Sequence, residues 1–395
     1  MRLPILMMII TILINGVVDY YLFKTIKNRI SKSVYAKCYA WLSVFVTLAL
    51  IVTISLPRRT GTNESLVFIM WMLFAYFSIY IPKYIYIICD LVARIPLLLK
   101  KQRIKWVSKT GTILGVVSFC LMWWGALVNR FNIDVNEVEV PISSLPTPFD
   151  GYRVAQISDL HVGTFGIDTT FLAEVVEKIN SLDVDAVMFT GDIVNRNSAE
   201  LQPFVSTLSR INARDGVFSV LGNHDYGDYS DWESPEAKEE NLKFMHKLQK
   251  QMNWTLLLNE TKQVYRGNDS ISIIGVENLG DPPFKNYGSL SNAYTTINDS
   301  TIKILLSHNP AHWERDIKDK KDNNIALTLS GHTHAMQMSI GSFSPAALRY
   351  KYWGGLYVDD SNHYLNVNVG IGEVALPMRI GATPEITVLT LRKAQ

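Results

Sequence analysis

The sequence predicts two architectures in one chain: an all-α bundle of about four membrane-spanning helices, followed by an α/β domain layered around a largely parallel sheet. Three observations predict them. Long apolar runs fill the first third, strand-like and helical spacing alternate from residue 152 onward, and charge divides between the two parts. Residues 1–130 carry 16 Lys/Arg against 3 Asp/Glu, a net +13, whereas residues 131–395 carry 22 against 33, a net −11. The formal total of +2 conceals that division.

The apolar runs are Leu3 to Phe23, Ala40 to Leu56, Leu66 to Val92 and Thr112 to Val128. Each approaches or exceeds the roughly 17–25 helical residues that cross a hydrocarbon core. None has the polar flank that a core helix of a soluble domain requires. Pro82 and Lys83 interrupt the third run, but two residues cannot turn a chain between spans. It therefore reads as one long kinked helix, in which Asp90 and Arg94 can pair at i,i+4. The first run lacks a small-residue cleavage site and precedes further spans, which makes it an uncleaved anchor. Five Lys/Arg lie between Lys24 and Lys37 and five between Lys100 and Lys109, against Arg2, Arg58, Arg59 and Arg130 on the other side. The positive-inside bias then makes the chain multi-pass in an inner or plasma membrane, with everything after Arg130 on the extracytoplasmic, periplasmic side. All three cysteines, Cys38, Cys89 and Cys120, belong to the first part, so the second has no disulfide.

Residues 131–150, with Pro141, Pro146 and Pro148, read as an edge strand and a linker. From Tyr152 the rhythm is regular: "YRVAQIS" as strand, Thr169 to Leu182 as helix, "DAVMFT" as strand, Ala199 to Ile211 as helix and "VFSVL" as strand. That alternation implies an α/β domain over residues 151–395. Six later strand-like segments, "TLLLNE", "SISIIGVE", "IKILLS", "IALTLS", "HYLNVNV" and "EITVLTL", are expected to build a second sheet.

Chemistry gathers where these strands stop. "AQIS" runs into Asp159-Leu160-His161, "VMFT" into Gly191-Asp192 and "FSVL" into Gly222-Asn223-His224-Asp225. "ILLS" runs into His308-Asn309-Pro310 and "LTLS" into Gly331-His332-Thr333-His334. In open α/β sheets ligands bind beyond the carboxyl ends of strands. Each segment alone is commonplace, since Asp and Gly open turns and a histidine after a strand is usually just packed there. Five together in one chain point to a shared site, for which a metal is the obvious candidate.

In these motifs the chain resembles the calcineurin-like metallophosphoesterases, whose pattern is D-x-H, G-D, G-N-H-[DE], H and G-H-x-H. "LSHNP", "GLYV", "NVGIG" and "PMRIGATPEITVLTL" are similar to its membrane-attached branch, named after YkuE and YaeI and related to UDP-2,3-diacylglucosamine hydrolases. The resemblance, over about residues 150–392, implies a four-layer αββα sandwich carrying two divalent metal ions. By position it implies Asp159, His161 and His334 around one ion, Asn223, His308 and His332 around the other, and Asp192 bridging them. Such ligands suit Mn, Fe or Zn, and a metal pair makes hydroxide available at neutral pH for in-line attack on phosphorus. His224 would protonate the leaving alcohol or stabilise phosphate charge, with Asp225 holding its tautomer. Asn195 stands where relatives commonly have Asp, and Ala335-Met336-Gln337 where they have Gly-Gly-Gln. Arg379 is a candidate phosphate contact, and Tyr226 and Trp353, from "YGDYSDW" and "LRYKYWGGLY", candidates for an apolar mouth.

These features imply a phosphodiesterase or pyrophosphatase that meets the bilayer and a phosphorylated lipid-like or small-molecule substrate, as in lipid and envelope metabolism. UDP-linked lipid precursors are cytosolic, so with an outward-facing domain either the substrate is another envelope phosphate or the charge count misplaces the domain. Nucleotide or nucleic-acid phosphodiesterase activity is the alternative within the same chemistry; a −11 domain without a basic stripe argues against long nucleic acid as a partner. A catalytically silent membrane receptor is the alternative from another class.

Overall fold

The computed structural model describes residues 2–29, 33–280, 285–294, 301–320 and 324–394, so part of the basic 24–37 connection lies outside the described residues. The chain divides into two compact units, residues 1–58 with 68–126 and residues 59–67 with 127–395. The short connection at 59–67 thus groups with the α/β unit.

Four helices, α1 (Arg2–Arg29), α2 (Ser33–Ser55), α3 (Asn63–Leu98) and α4 (Lys105–Leu127), are long and apolar enough to cross a membrane. As expected, α3 continues through Pro82, and Arg94 Nε reaches the Asp90 carboxylate at 2.9 Å. Gly111 and Gly115 on α4 let it lie against α3: a Cβ at Gly111 would meet Cys89 Cβ at 2.5 Å. Small residues four apart permit that approach where no hydrophobic force drives helices together. Polar side chains inside this unit satisfy one another. Asp19 accepts from Tyr39 (2.6 Å), Tyr80 (2.7 Å) and Lys83 (2.8 Å), and Asp90 also pairs with Tyr21 and Arg103.

The second unit contains two six-stranded sheets. One takes β1 (Asp134–Ile142), β2 (Arg153–Ile157), β3 (Ala186–Phe189), β4 (Val217–Ser219), β5 (Trp254–Leu256) and β12 (Glu385–Lys393), in the order β1-β12-β2-β3-β4-β5. The other takes β6 (Glu260–Arg266), β7 (Asp269–Gly275), β8 (Lys303–Leu306), β9 (Ile325–Ser330), β10 (Gly355–Val358) and β11 (Tyr364–Val367), in the order β10-β11-β9-β8-β7-β6. Pairing is parallel from β2 through β5 and among β7, β8, β9 and β11. Two segments expected in the second sheet, "TLLLNE" and "EITVLTL", supply β5 and β12 to the first. The expected edge strand is β1, parallel to β12.

Strand side chains alternate between faces. Val154, Ala186 and Met188 pack with Ile273, Ile304, Leu306 and Leu329 between the sheets. On the outer face of the first sheet, Ala155, Ile157, Val187 and Phe189 pack against α5 (Thr170–Ser181), α6 (Val205–Leu208) and α7 (Pro235–Gln251). On the outer face of the second, Ile274, Leu305, Ile325 and Val367 pack with Trp313 and with α8 (Leu290–Tyr294). The layers are therefore α, β, β, α. The helix expected over Ala199 to Ile211 is instead a 3-10 stretch, Ser198–Phe204, and the single turn α6. Pro203 has no N–H to donate to an α-helical ladder.

Candidate metal centre

The carboxyl ends of β2, β3 and β4 in one sheet and of β8 and β9 in the other converge on one buried cluster. Three groups of ligand atoms each lie within 4.8 Å of one another: Asp159, His161 and His334; His161, Asp192 and His224; Asp192, His308 and His332. Asp192 Oδ2 stands 3.7 Å from His161 Nε2 and 3.2 Å from His308 Nε2, between the two ends of the cluster. His334 Nε2 is 3.1 Å from Asp159 Oδ1. Asn223 Oδ1 is 2.9 Å from His332 Nδ1 and 3.2 Å from His308 Nε2. The seven residues expected at the metals therefore meet in one place.

Backbone strain concentrates at the same residues. Asp159, His161, Asp192, His332 and His334 all have φ between +41° and +75°, a region that non-glycine residues enter at a cost and that clusters at functional sites. The glycine of "GHTH" has a different task from flexibility. A Cβ at Gly331 would stand 1.8 Å from Ser158 Oγ and 2.3 Å from Asp159 Oδ2, so the glycine lets β9 end directly against the first metal-binding loop. Gly222 does the same beside Asp192, whose Oδ1 would lie 2.1 Å from an added Cβ.

Whether the cluster fits cations follows from its donors and acceptors. His161 Nδ1 is 3.0 Å from the Val194 carbonyl and His308 Nδ1 is 2.8 Å from the Thr190 carbonyl, so these nitrogens carry the protons and both Nε2 lone pairs face inward. Asn223 Nδ2 donates to the Tyr229 hydroxyl at 3.0 Å, turning Oδ1 inward as well. With His308 neutral, its Nε2, Asn223 Oδ1 and Asp192 Oδ2 are convergent acceptors. Such an arrangement calls for positive charge among them, either a proton on His308 or a bound cation. Burial works against ionising Asp192, but the charges of His308 and His224 outweigh it and hold the carboxyl well below its usual range. Burial likewise opposes charge on His308, yet Asp192 raises it to about 9, so the cluster draws positive charge to this point. The residues fit a pair of divalent ions.

Four expected contacts are corrected by the structure. Asp225 does not touch the His224 ring. Its buried carboxylate accepts the backbone N–H groups of Asp192, Ile193, Val194 and Gly222 at 2.9–3.2 Å, fixing the bridging loop. Burial and then the neighbouring Asp192 push it up to about 7. The partner of His224 Nδ1 is the Asn195 carbonyl at 2.6 Å, which leaves Nε2 for the substrate. Arg379 is fully buried and donates to the carbonyls of Val369, Gly372 and Ala382, 3.4 Å from His334 Nδ1. It braces a ligand and cannot reach a phosphate. Tyr226 is 1 % exposed and stacks on Tyr287, while Trp353 packs on Ala335, Val369 and Ala382 beside a separate recess.

The cavity over the cluster measures about 480 Å3. Asp192, Asn223, His224, His332 and His334 form its polar floor, and Met336, Met338, Leu376 and Met378 an apolar wall. Tyr229, Arg349 and Tyr350 also line it. Both expected aromatic stretches therefore border the site, but through neighbouring residues: Tyr229 replaces Tyr226, and Tyr350 replaces Trp353. Sequence spacing gives no signal for that choice within an irregular loop.

Fold and site together define a two-sheet α/β sandwich with a candidate metal centre at its strand ends, in a chain that also carries four membrane-capable helices. The chain belongs to the calcineurin-like phosphoesterase family. The pattern described as "Calcineurin-like phosphoesterase" matches residues 152–336, and "Probable Calcineurin-like phosphoesterase, transmembrane domain" matches residues 1–130. YkuE of Bacillus subtilis, an uncharacterized metallophosphoesterase, is 30% identical over 66% of this chain and 86% of its own length. A Danio rerio transmembrane protein with metallophosphoesterase domain is 28% identical over 72% of this chain, which spans 63% of that protein's length. An uncharacterized metallophosphoesterase of Campylobacter jejuni is 25% identical over 97% of both chains.

Proposed function

We propose that the protein is a membrane-anchored phosphoesterase that cleaves a phosphodiester or pyrophosphate bond, on a lipid-linked or envelope phosphate. The observation that carries this reading is the convergence of carboxylate, imidazole and amide groups on Asp192, where the cluster draws positive charge. Asp159, His161, Asp192 and His334 would hold one ion and Asp192, Asn223, His308 and His332 the other. Bound there, divalent ions supply Lewis acidity toward a phosphoryl oxygen and a nucleophilic water at neutral pH. His224 Nδ1–H donates to the Asn195 carbonyl, so in its imidazolium form the ring carries a second proton at Nε2, which it delivers to the departing oxygen as the P–O bond breaks, leaving the neutral Nδ1–H tautomer. Tyr229 backs the imidazole at a 4.0 Å centroid distance and 5° between planes, which sets its direction.

The amphiphilic substrate class is supported by the cavity, whose methionine and leucine wall stands beside the polar floor. An ester with an apolar chain, UDP-2,3-diacylglucosamine being one of that kind, would use both. The extracytoplasmic orientation is supported by the basic connections at 24–37 and 100–109. The grouping of residues 59–67 and 127–395 in one unit fits four spans, which leave both on one side of the membrane in either orientation. The test is turnover of bis-p-nitrophenyl phosphate and of an alkyl-chain phosphodiester by full-length protein loaded with Mn. Failure to cleave either removes the reading, and equal effects of Leu376→Asp on both esters remove its lipid part. Protease accessibility in spheroplasts decides the orientation.

A further inference from the structure

We propose that the connection between α2 and α3, residues 59–63, is a positioning element for His224, so that a link between two membrane-spanning helices takes part in phosphoester hydrolysis. The inference rests on the reading of His224 as proton donor.

His224 is gripped from two directions, by the Asn195 carbonyl at Nδ1 and by the stacked ring of Tyr229. Neither residue sits in a helix or strand. Asn195 is in the loop after β3 and Tyr229 in the turn after Asp225, so something outside regular structure must hold both. The 59–63 segment does so. The buried Arg196, next to Asn195, sends Nε to Glu200 Oε1 at 3.1 Å and Nη2 to the Thr62 carbonyl at 3.1 Å. Arg59 takes the turn from the other side. Its Nη2 donates to the Asp228 and Ser230 carbonyls at 2.9 and 3.0 Å, its Nε to Asp231 at 2.5 Å, and its own carbonyl accepts the Asp231 N–H at 3.2 Å. Ser230 Oγ donates to the Arg196 carbonyl at 3.3 Å and joins the two halves. The segment therefore holds the residue after Asn195 and the residues on both sides of Tyr229.

The Arg59–Asp231 ion pair is about half exposed and adds little by itself. What distinguishes it is the planar guanidinium fork set across the turn, with Nη2 on two carbonyls and Nε on the Asp231 carboxylate, a geometry that lysine cannot copy. Moving the fork shifts Tyr229, and moving Thr62 shifts Arg196 and then the Asn195 carbonyl. Proton delivery depends steeply on such placement, a 1 Å error costing on the order of 100-fold.

The test compares two phosphodiesters that differ in leaving group. p-Nitrophenoxide departs as a stable anion and gains little from a proton donor, whereas an alkoxide needs one. In full-length, Mn-loaded Arg59→Ala, kcat is expected to fall about 10-fold on the alkyl ester and less than about 2-fold on the p-nitrophenyl ester, with KM and bound Mn unchanged. Arg59→Lys, which keeps the charge beside Asp231 but not the planar spread over the carbonyls, should produce the same selectivity, whereas Asp231→Ala, which leaves the carbonyl contacts in place, should stay within about 2-fold of wild type on both esters. His224→Asn is the reference: if it spares the alkyl ester, the proton-donor reading has failed before the segment is tested. If His224→Asn shows the selectivity while Arg59→Ala and Arg59→Lys match wild type, or slow both esters equally, the segment is only a strut and the proposal is wrong. Should Arg59→Ala fail to fold, Arg59→Lys decides the matter.

Discussion

The two units bury carboxylates in opposite ways. In the helical unit Asp19 has Lys83, Tyr39 and Tyr80, and Asp90 has Arg94, Arg103 and Tyr21, so every buried negative charge meets a cation and phenolic donors from the chain itself. In the α/β unit Asp159 and Asp192 are fully enclosed and face histidines instead. Two of those histidines spend their protons on backbone carbonyls and present lone pairs. The first arrangement balances its charges with Lys and Arg; the second gathers carboxylate and imidazole groups in a way that fits cations from outside. A buried polar cluster marks function through the charge it leaves open, and burial alone does not reveal it.

The sharpest way to break this contrast is to neutralise one carboxylate from each unit. Asp192→Asn is expected to lower kcat/KM by on the order of 1,000-fold or more, because in the proposed site this carboxylate would hold both ions. Asp90→Asn should do the reverse: about 1–3 kcal/mol of stability lost as Arg94 and Arg103 lose their partner, with turnover per folded molecule within about 2-fold of wild type. Parallel assays and thermal scans of the two variants make the comparison, and matching responses would mean the units are built alike.

Next in size is His224→Asn, expected to lower kcat about 100- to 10,000-fold while bound metal, counted by elemental analysis, stays the same. Loss of metal would make His224 a ligand in place of a proton donor. Chelation follows. A chelator should abolish turnover and lower the melting temperature, and Mn, Fe or Zn should restore both, because ions that bind only the folded state stabilise it. Asp90→Asn protein should show the same chelator-induced shift. The smallest effect is expected from Arg379→Lys. Losing the fork that spans three carbonyls and steadies His334 should weaken metal binding about 10- to 100-fold by titration, with kcat recovered at saturating metal.

The metal cluster was legible before folding because each ligand motif is local. It begins where an apolar strand ends, and the parallel strands β2 and β3 bring their carboxyl ends to one edge, so Asp159 and Asp192 had to arrive together, while His308, after β8 in the other sheet, joins them through the packing of the two sheets. The spans were legible for the same reason, since length and composition decide them. Residues in irregular loops were not. Tyr226 and Tyr229 occupy one short turn, yet one fills the core and the other faces the site. Arg379 sits in a segment that reads as phosphate-binding, but its guanidinium turns inward to three carbonyls.

By itself the sequence determined the division into membrane helices and an α/β unit, the strand-end ligands and the kind of chemistry they can perform. These depend on hydrophobic period and on residue types at fixed offsets, and both are properties of short segments. Only the tertiary structure decided which carbonyl orients His224, which aromatic ring backs it, that Asp225 secures a loop, and that residues 59–63 reach Arg196 across more than a hundred positions of chain. Those outcomes come from packing between distant segments, where a side chain's direction is set by neighbours that local spacing does not specify.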